Sequence, residues 1–194
     1  MSRPELLVVC GSLADDATRA FVQRLGQRYL AELVWAGAAD ADLGPDIEVR
    51  RFDAAVPLSA SDRGGRLAET LARARVRGLW SPELLEFLHH EHARYRAIVF
   101  LSYASPLTAF GLPLVPERAI LVPLLEGRDT DLGEPPYRAL FHLPRAIGYR
   151  DAAERDRVQS TVRNEQVPYE LVSLGDQDGG DRAFDRLVAT ALYA

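Results

Sequence analysis

AIVFLSY (97–103) and RAILVPL (118–124) decide the fold. Both are short runs of Val, Ile, Leu and Phe without polar alternation, and both stop at Ser or Pro. That pattern suits parallel strands covered on both faces rather than one face of an open sheet. SPLTAFGLPLVPE (105–117) lies between them and is long enough for a short helix and a turn. Strand, crossover and strand therefore predict a right-handed βαβ unit. In an open α/β sheet, ligands bind beyond the carboxyl ends of the strands, above all where the strand order reverses. The residues that follow Tyr103 and Leu124 are thus the first place to look for chemistry.

Working outward, PELLVVC (4–10) reads as a strand ended by Gly11 and Ser12. Asp15 or Asp16 then caps a helix whose apolar positions Phe21, Leu25 and Tyr29, followed by Leu30 and Leu33, recur at helical spacing. IEVRRF (47–52) alternates as an edge strand, and the Gly64-Gly65 pair reads as a hinge or flexible turn. A helix is expected over 66–80, and a second starts at Ser81-Pro82 with a stripe of Leu84, Leu85, Phe87 and Leu88. Later come a short helix (136–143), a strand (145–149), a polar helix (150–163), a strand within 167–175, a turn over 175–180 and an amphipathic closing helix (181–193). The expected architecture is a single three-layer α/β/α, Rossmann-like domain over 1–194. Its mainly parallel sheet has about six strands, near 5–10, 47–52, 97–102, 119–123, 146–149 and 169–173.

Composition narrows the function classes. A chain of 194 residues with 47% hydrophobic residues buries a core without disulfide or metal support. Cys10 is the only cysteine and falls in a strand, so neither an internal disulfide nor a C-x-x-C site is available. The net charge of −5 argues against a nucleic-acid binder that works by neutralising phosphates. All 23 cations are arginine, so a single arginine near a suspected site carries little weight for phosphate recognition. The lone cysteine makes a reducing, cytoplasmic setting the expectation; no apolar run approaches the ~20 residues that span a bilayer, and the start enters a strand directly, without a signal-peptide layout.

The candidate site lies at the carboxyl ends of the first, third and fourth predicted strands. Gly11, Ser12, Tyr103, Ser105, Glu126 and Arg128 are expected to converge there, with Glu134 on the acidic loop that follows. Glu126 and Asp129 are the candidate catalytic carboxylates, because a carboxylate in reach of a substrate hydroxyl can act as general base. The turn after the first strand is a poor phosphate loop: it has one glycine, no G-x-G-x-x-G, and two aspartates where an anion would sit. His89 and His92 share helical spacing but lack a third ligand, so a solvated face is expected and no metal. Ser105 with His142 and Asp129 lacks the G-x-S-x-G elbow of a serine hydrolase.

Several segments in order resemble the amino-terminal, Rossmann-like half of a GT-B glycosyltransferase of family 4. They are WSPELLEFL (80–88), YRAIVFLSY (95–103), PLTAFGLPLVPERAILVP (106–123), EPPY (134–137), FHLPRAIGY (141–149) and AAERDRV (152–158). The resemblance implies a domain that receives a sugar or glycolipid acceptor and takes part in transfer from a nucleotide-sugar. A donor-binding domain or partner chain would complete the enzyme, and no further cofactor is implied. Where such enzymes carry a Gly-Gly-Ala-Glu type turn, this chain has GSLADDA (11–17). Where they carry a short His-Asp-Glu-Pro segment, it has a longer loop, LLEGRDTDLGEP (124–135), without the histidine. Nothing in the chain repeats the Rossmann pattern for a donor. Two expectations follow: an acceptor half, inactive alone and exposing a homodimer surface or apolar patch near the crevice, or a binding or assembly module on the same fold.

Overall fold

A computed structural model describes residues 5–11, 13, 15–36, 43–54, 81–125, 131–175 and 177–193. In chain order these form β1 (Glu5–Cys10), α1 (Asp16–Arg28), β2 (Leu30–Ala36), β3 (Ile47–Phe52), α2 (Pro82–Glu91), β4 (Ala97–Leu101) and α3 (Pro106–Gly111). They continue with β5 (Ala119–Val122), α4 (Pro135–Leu140), β6 (Ala146–Tyr149), α5 (Ala152–Val162), β7 (Tyr169–Leu171) and α6 (Gln177–Tyr193). The strands make one sheet in the order β3-β2-β1-β4-β5-β6-β7, and every neighbouring pair is parallel. This is the Rossmann-like α/β architecture expected from the sequence, with seven strands in place of about six.

The additional strand is β2. Its Tyr29, Leu30 and Leu33 fit the helical spacing of α1, yet the helix stops at Arg28 and Tyr29 is already extended. Leu33 and Val34, adjacent in sequence, are both buried because the strand is covered on both faces. Alternation was therefore unavailable as a signal. A second correction concerns 175–180: Gln177 to Gly180 belong to α6 rather than to a turn. The expected hinge at Gly64-Gly65 and the helix over 66–80 lie outside the described residues.

Strand residues divide between two cores. Leu6, Val8, Cys10, Val99, Leu101, Ile120 and Val122 meet α1 and α6 through Phe21, Leu25, Phe184 and Leu187. Leu7, Val9, Ile98, Phe100, Leu121 and Ile147 meet α2, α3, α4 and α5 through Leu84, Leu88, Leu107, Tyr137, Leu140 and Val158. At α2 the start signal holds: the Ser81 hydroxyl accepts from the Leu84 amide at 3.3 Å, with Pro82 in the first turn. Arg24 ties the α1 face to α6, donating to Asp181 at 3.1 Å and to the Leu174 carbonyl at 2.9 Å.

Close packing of α6 requires glycine at one point. A Cβ on Gly180 would lie 2.3 Å from the Ser173 carbonyl oxygen, backbone against backbone. Gly180→Ala is expected to lift the start of α6 and destabilise the protein by about 1–3 kcal/mol, as overpacked sites do. Urea unfolding checks this, and an unchanged midpoint would refute the close approach.

Candidate functional site

The strand order reverses between β2 and β4, which flank β1, so the crevice opens where β1 and β4 end. Gly11 follows β1, and Ser105 lies four residues beyond β4 at the start of α3. A Cβ on Gly11 would lie 2.7 Å from Ser105 Oγ, so the missing side chain is what admits the hydroxyl. Ser105 sits at the N-cap position of α3, but its side chain makes no capping bond. Its Oγ is buried and has no hydrogen-bond partner among the described residues. A buried hydroxyl without a partner costs free energy, and such groups in folded proteins call for an explanation.

Tyr103 reaches the same end of the sheet, but its ring turns inward. It is 1% exposed and packs edge-on against Tyr137 at 5.4 Å and tilted against Phe141 at 5.5 Å. Its backbone amide donates to the Pro123 carbonyl at 3.0 Å. Glu134 sits at the N-cap position of α4 and is partly exposed, without a side-chain cap bond. Ser12, Glu126, Arg128 and Asp129 lie outside the described residues. The structure thus brings Gly11 and Ser105 into contact and withdraws the Tyr103 ring into the core.

Of the three described non-glycine residues with positive φ, two lie at this end and the third, Arg163, ends α5. Ser102 and Leu124, each just past its strand, have φ of 68° and 51°, a region L-residues occupy at a cost of about 1–3 kcal/mol. The Ser102 amide donates to the Val122 carbonyl at 2.9 Å, locking the two exits together.

Glu154, outside the set of site residues expected from the sequence, organises the neighbouring loops. It is 4% exposed, and its carboxylate accepts from the Leu125 amide at 2.7 Å and the Arg150 amide at 2.6 Å. One side chain therefore pins the exit of β5 to the exit of β6. The signal was legible in D-A-A-E (151–154), a capping-box spacing directly after a strand. Asp151 completes it by accepting from the Glu154 amide at 2.8 Å. Arg150 Nη2 donates to the Leu125 carbonyl at 3.3 Å and sets a positive charge at the rim.

Hydrogen bonds lower two carboxyl pKa values at this end, and burial raises a third. Bonds from the Thr18 side chain, then from the Thr18 and Ala17 amides, hold Asp15 below the usual aspartate range, and the Arg150 charge adds to this. The Glu154 amide, followed by Arg150, does the same for Asp151. Burial pushes Glu154 the other way, above the usual glutamate range, with its amide donors and the Arg150 charge opposing. The two histidine readings do not assemble. His142 lies in the turn entering β6, at the amino ends of the strands, and its Nδ1 is 2.6 Å from Gln166 Nε2. His89 is exposed, while His92 turns its Nδ1 toward the Leu88 carbonyl, and no metal-ligating cluster occurs among the described residues.

Because Glu154 holds a proton more tightly when folded, its contribution to stability is greatest in acid and declines as pH rises through its folded pKa. Asp15 and Asp151 act oppositely: their contribution is present above the ordinary aspartate pKa and is lost as pH falls. Glu154→Gln removes only the first effect. The melting temperature of the variant is expected below wild type near pH 4.5, with the gap narrowing toward pH 8. A gap constant with pH would refute the buried-carboxylate assignment.

No protein-family model matches this chain, and no curated protein matches it. Its fold is similar to that of a sucrose-phosphate synthase from Thermosynechococcus elongatus, with a TM-score of 0.58 and 14% identity over 94% of both chains. It is also similar to a UDP-glucosyltransferase from Polygonum tinctorium, capable of glucosylating indoxyl, with a TM-score of 0.51, 13% identity, and coverage of 89% of this chain and 52% of that one. A UDP-N-acetylglucosamine 2-epimerase from Rickettsia bellii gives a TM-score of 0.51 and 11% identity over 99% of this chain and 49% of that one. The chain spans about half the length of the last two. At these identities the likeness is one of fold.

Proposed function

We propose that this chain is an acceptor-side, glycosyltransferase family 4-like domain. In this reading it binds the sugar or glycolipid that is glycosylated and works with a donor-binding domain or partner chain that supplies the nucleotide-sugar. The observation that carries the reading is the buried, unpartnered Ser105 hydroxyl facing Gly11 at the point where the sheet reverses. A hydroxyl offered there suits an uncharged polyol, which both donates and accepts hydrogen bonds. The nearby start of α1 is occupied by its own Asp15 carboxylate, which accepts from the Ala17 and Thr18 amides. With those amides taken and Asp16 beside them, a pyrophosphate would meet repulsion rather than free N–H groups.

In this reading Gly11 and Ser105 contact the acceptor, with Ser12, the Tyr103 backbone, Arg128 and Glu134 around it. Glu126 or Asp129 takes the proton from the attacking hydroxyl. Glu154 is a positioning residue, because it ties down Leu125, the residue before Glu126. The fold similarity to enzymes named for UDP-sugars supports a place in nucleotide-sugar chemistry. Holding donor and acceptor together supplies much of the rate of a two-substrate transfer, so one half alone is expected to transfer nothing.

Calorimetric titration of the isolated chain with a panel of nucleotide-sugars and a panel of sugar acceptors tests this. Acceptor binding without nucleotide-sugar binding is the expected outcome; micromolar binding of a nucleotide-sugar would overturn the assignment. Gly11→Ala places a methyl group against the Ser105 hydroxyl and should weaken acceptor binding about tenfold while leaving the far-ultraviolet spectrum unchanged. Ser105→Ala removes one hydrogen bond, worth about 1 kcal/mol or roughly fivefold in affinity. Acceptor affinity indifferent to both substitutions would move the site elsewhere.

A further inference from the structure

The amino ends of the strands carry a second feature, at the end of the sheet opposite the crevice. Arg96, Arg118 and Arg145 are each the residue immediately before a strand, namely β4, β5 and β6. Those strands are adjacent and parallel, so three arginines from distant parts of the sequence stand side by side. The main chains of Arg96 and Arg145 are held by the sheet, and that of Arg118 by the turn before β5. The Arg96 amide donates to the Glu5 carbonyl at 3.0 Å, the Arg145 amide to the Ala119 carbonyl at 2.9 Å, and the Arg118 amide to the Val115 carbonyl at 3.1 Å. Together with Glu117, Ala191 and Leu192 they line a cleft of about 400 Å³.

Among the described residues, the charges in this cleft are not matched from within. Arg118 Nη1 donates to the Tyr95 carbonyl at 2.6 Å, which orients the guanidinium without neutralising it. Arg145 Nε is buried and has no hydrogen-bond partner. Glu117, the one lining carboxylate among the described residues, lies 3.8 Å from His92 Nε2 and is 56% exposed. Three cations therefore face one carboxylate, in a chain whose net charge is −5. Arginine is the chain's only cation, so residue type alone means little here. The convergence of three on adjacent strands around one cavity is the evidence.

We propose that this cleft is a binding site for a phosphate-bearing anion. Guanidinium groups recognise phosphate through paired N–H donors, and a group carrying close to two negative charges offsets three arginines better than a carboxylate does. The volume lies in the roughly 300–1,000 Å³ range of small-molecule sites, so there is room for more than a bare ion. Ala191 and Leu192 of α6 form an apolar wall along which the organic part of a phosphate ester can lie. The site is separate from the crevice, and its occupancy does not depend on whether the crevice binds a sugar.

Inorganic pyrophosphate, titrated into the full chain at constant ionic strength, is the probe. Binding in the micromolar to submillimolar range is expected, weakened at least tenfold in the double variant Arg96→Gln and Arg145→Gln. A control with equal charge change on exposed residues, Arg138→Gln and Arg182→Gln, should bind as wild type does. Should the double variant unfold, the exposed Arg96→Gln alone is expected to weaken binding at least threefold. Vesicles of phosphatidylcholine with and without phosphatidic acid identify the source of the phosphate. Co-sedimentation that needs phosphatidic acid and is lost in the double variant assigns it to a lipid headgroup, and pyrophosphate binding without co-sedimentation to a soluble ester. No pyrophosphate binding, or binding equal in the double variant and the control, overturns the proposal.

Discussion

Everything in this structure depends on β1 sharing its backbone hydrogen bonds with β2 on one side and β4 on the other. Residues Leu6 to Cys10 are at most 1% exposed, so those amides and carbonyls have no water to fall back on. A parallel strand in this position must be covered on both faces, which dictates the two helical layers and the absence of polar alternation along it. It also dictates where the crevice opens. Chain leaves β1 toward one half of the sheet and β4 toward the other, and the gap between the two exits is where Gly11 and Ser105 meet.

The two ends of the sheet are chemically different because different groups are left over there. At the carboxyl ends the chain turns sharply, with Ser102 and Leu124 in left-handed conformations and with the buried Glu154 bonded to two loop amides. The carboxylate is costly to bury, yet each amide it accepts from would otherwise be an unsatisfied donor near the loop exits. Order at this end is thus maintained by a charge in a poor dielectric setting. At the amino ends, three arginines precede three strands, and the surplus is positive. The buried carboxylate at one end and the arginine cleft at the other make the two ends of the sheet electrostatically unlike.

The α1–α6 pairing shows a separate way of holding the layers together. Tyr29, Arg28 and Asp185 form a bonded cluster, and Arg24 reaches Asp181 and the Leu174 carbonyl. Burial, followed by the bond to Asp185, pushes the Tyr29 hydroxyl well above its usual range. On the other side of the sheet, Glu32 joins Arg50 of β3 at 2.6 Å and the Tyr95 hydroxyl. Both clusters sit where apolar cover gives way to solvent, so polar side chains complete the packing at the rims of the cores.

The sequence by itself determined the layer architecture, the edge position of IEVRRF and the strands at 97–101, 119–122 and 146–149. Short unalternated apolar runs bounded by Ser, Pro and Gly have few other solutions. The cap at Ser81-Pro82 and the capping-box spacing at Asp151 and Glu154 were also written locally, because caps depend on residues three apart. β2 was not legible: its Leu30 and Leu33 continue the spacing of α1, and only pairing with β1 and β3 makes those residues extended. Nor was the inward turn of Tyr103, decided by Tyr137 and Phe141 from a later helix, or the unpartnered hydroxyl of Ser105, decided by the absence of a side chain at Gly11. The arginine cleft is the clearest case. Positions 96, 118 and 145 share nothing in sequence, and only the parallel order of β4, β5 and β6 sets their charges side by side, since register in a sheet is fixed by long-range pairing.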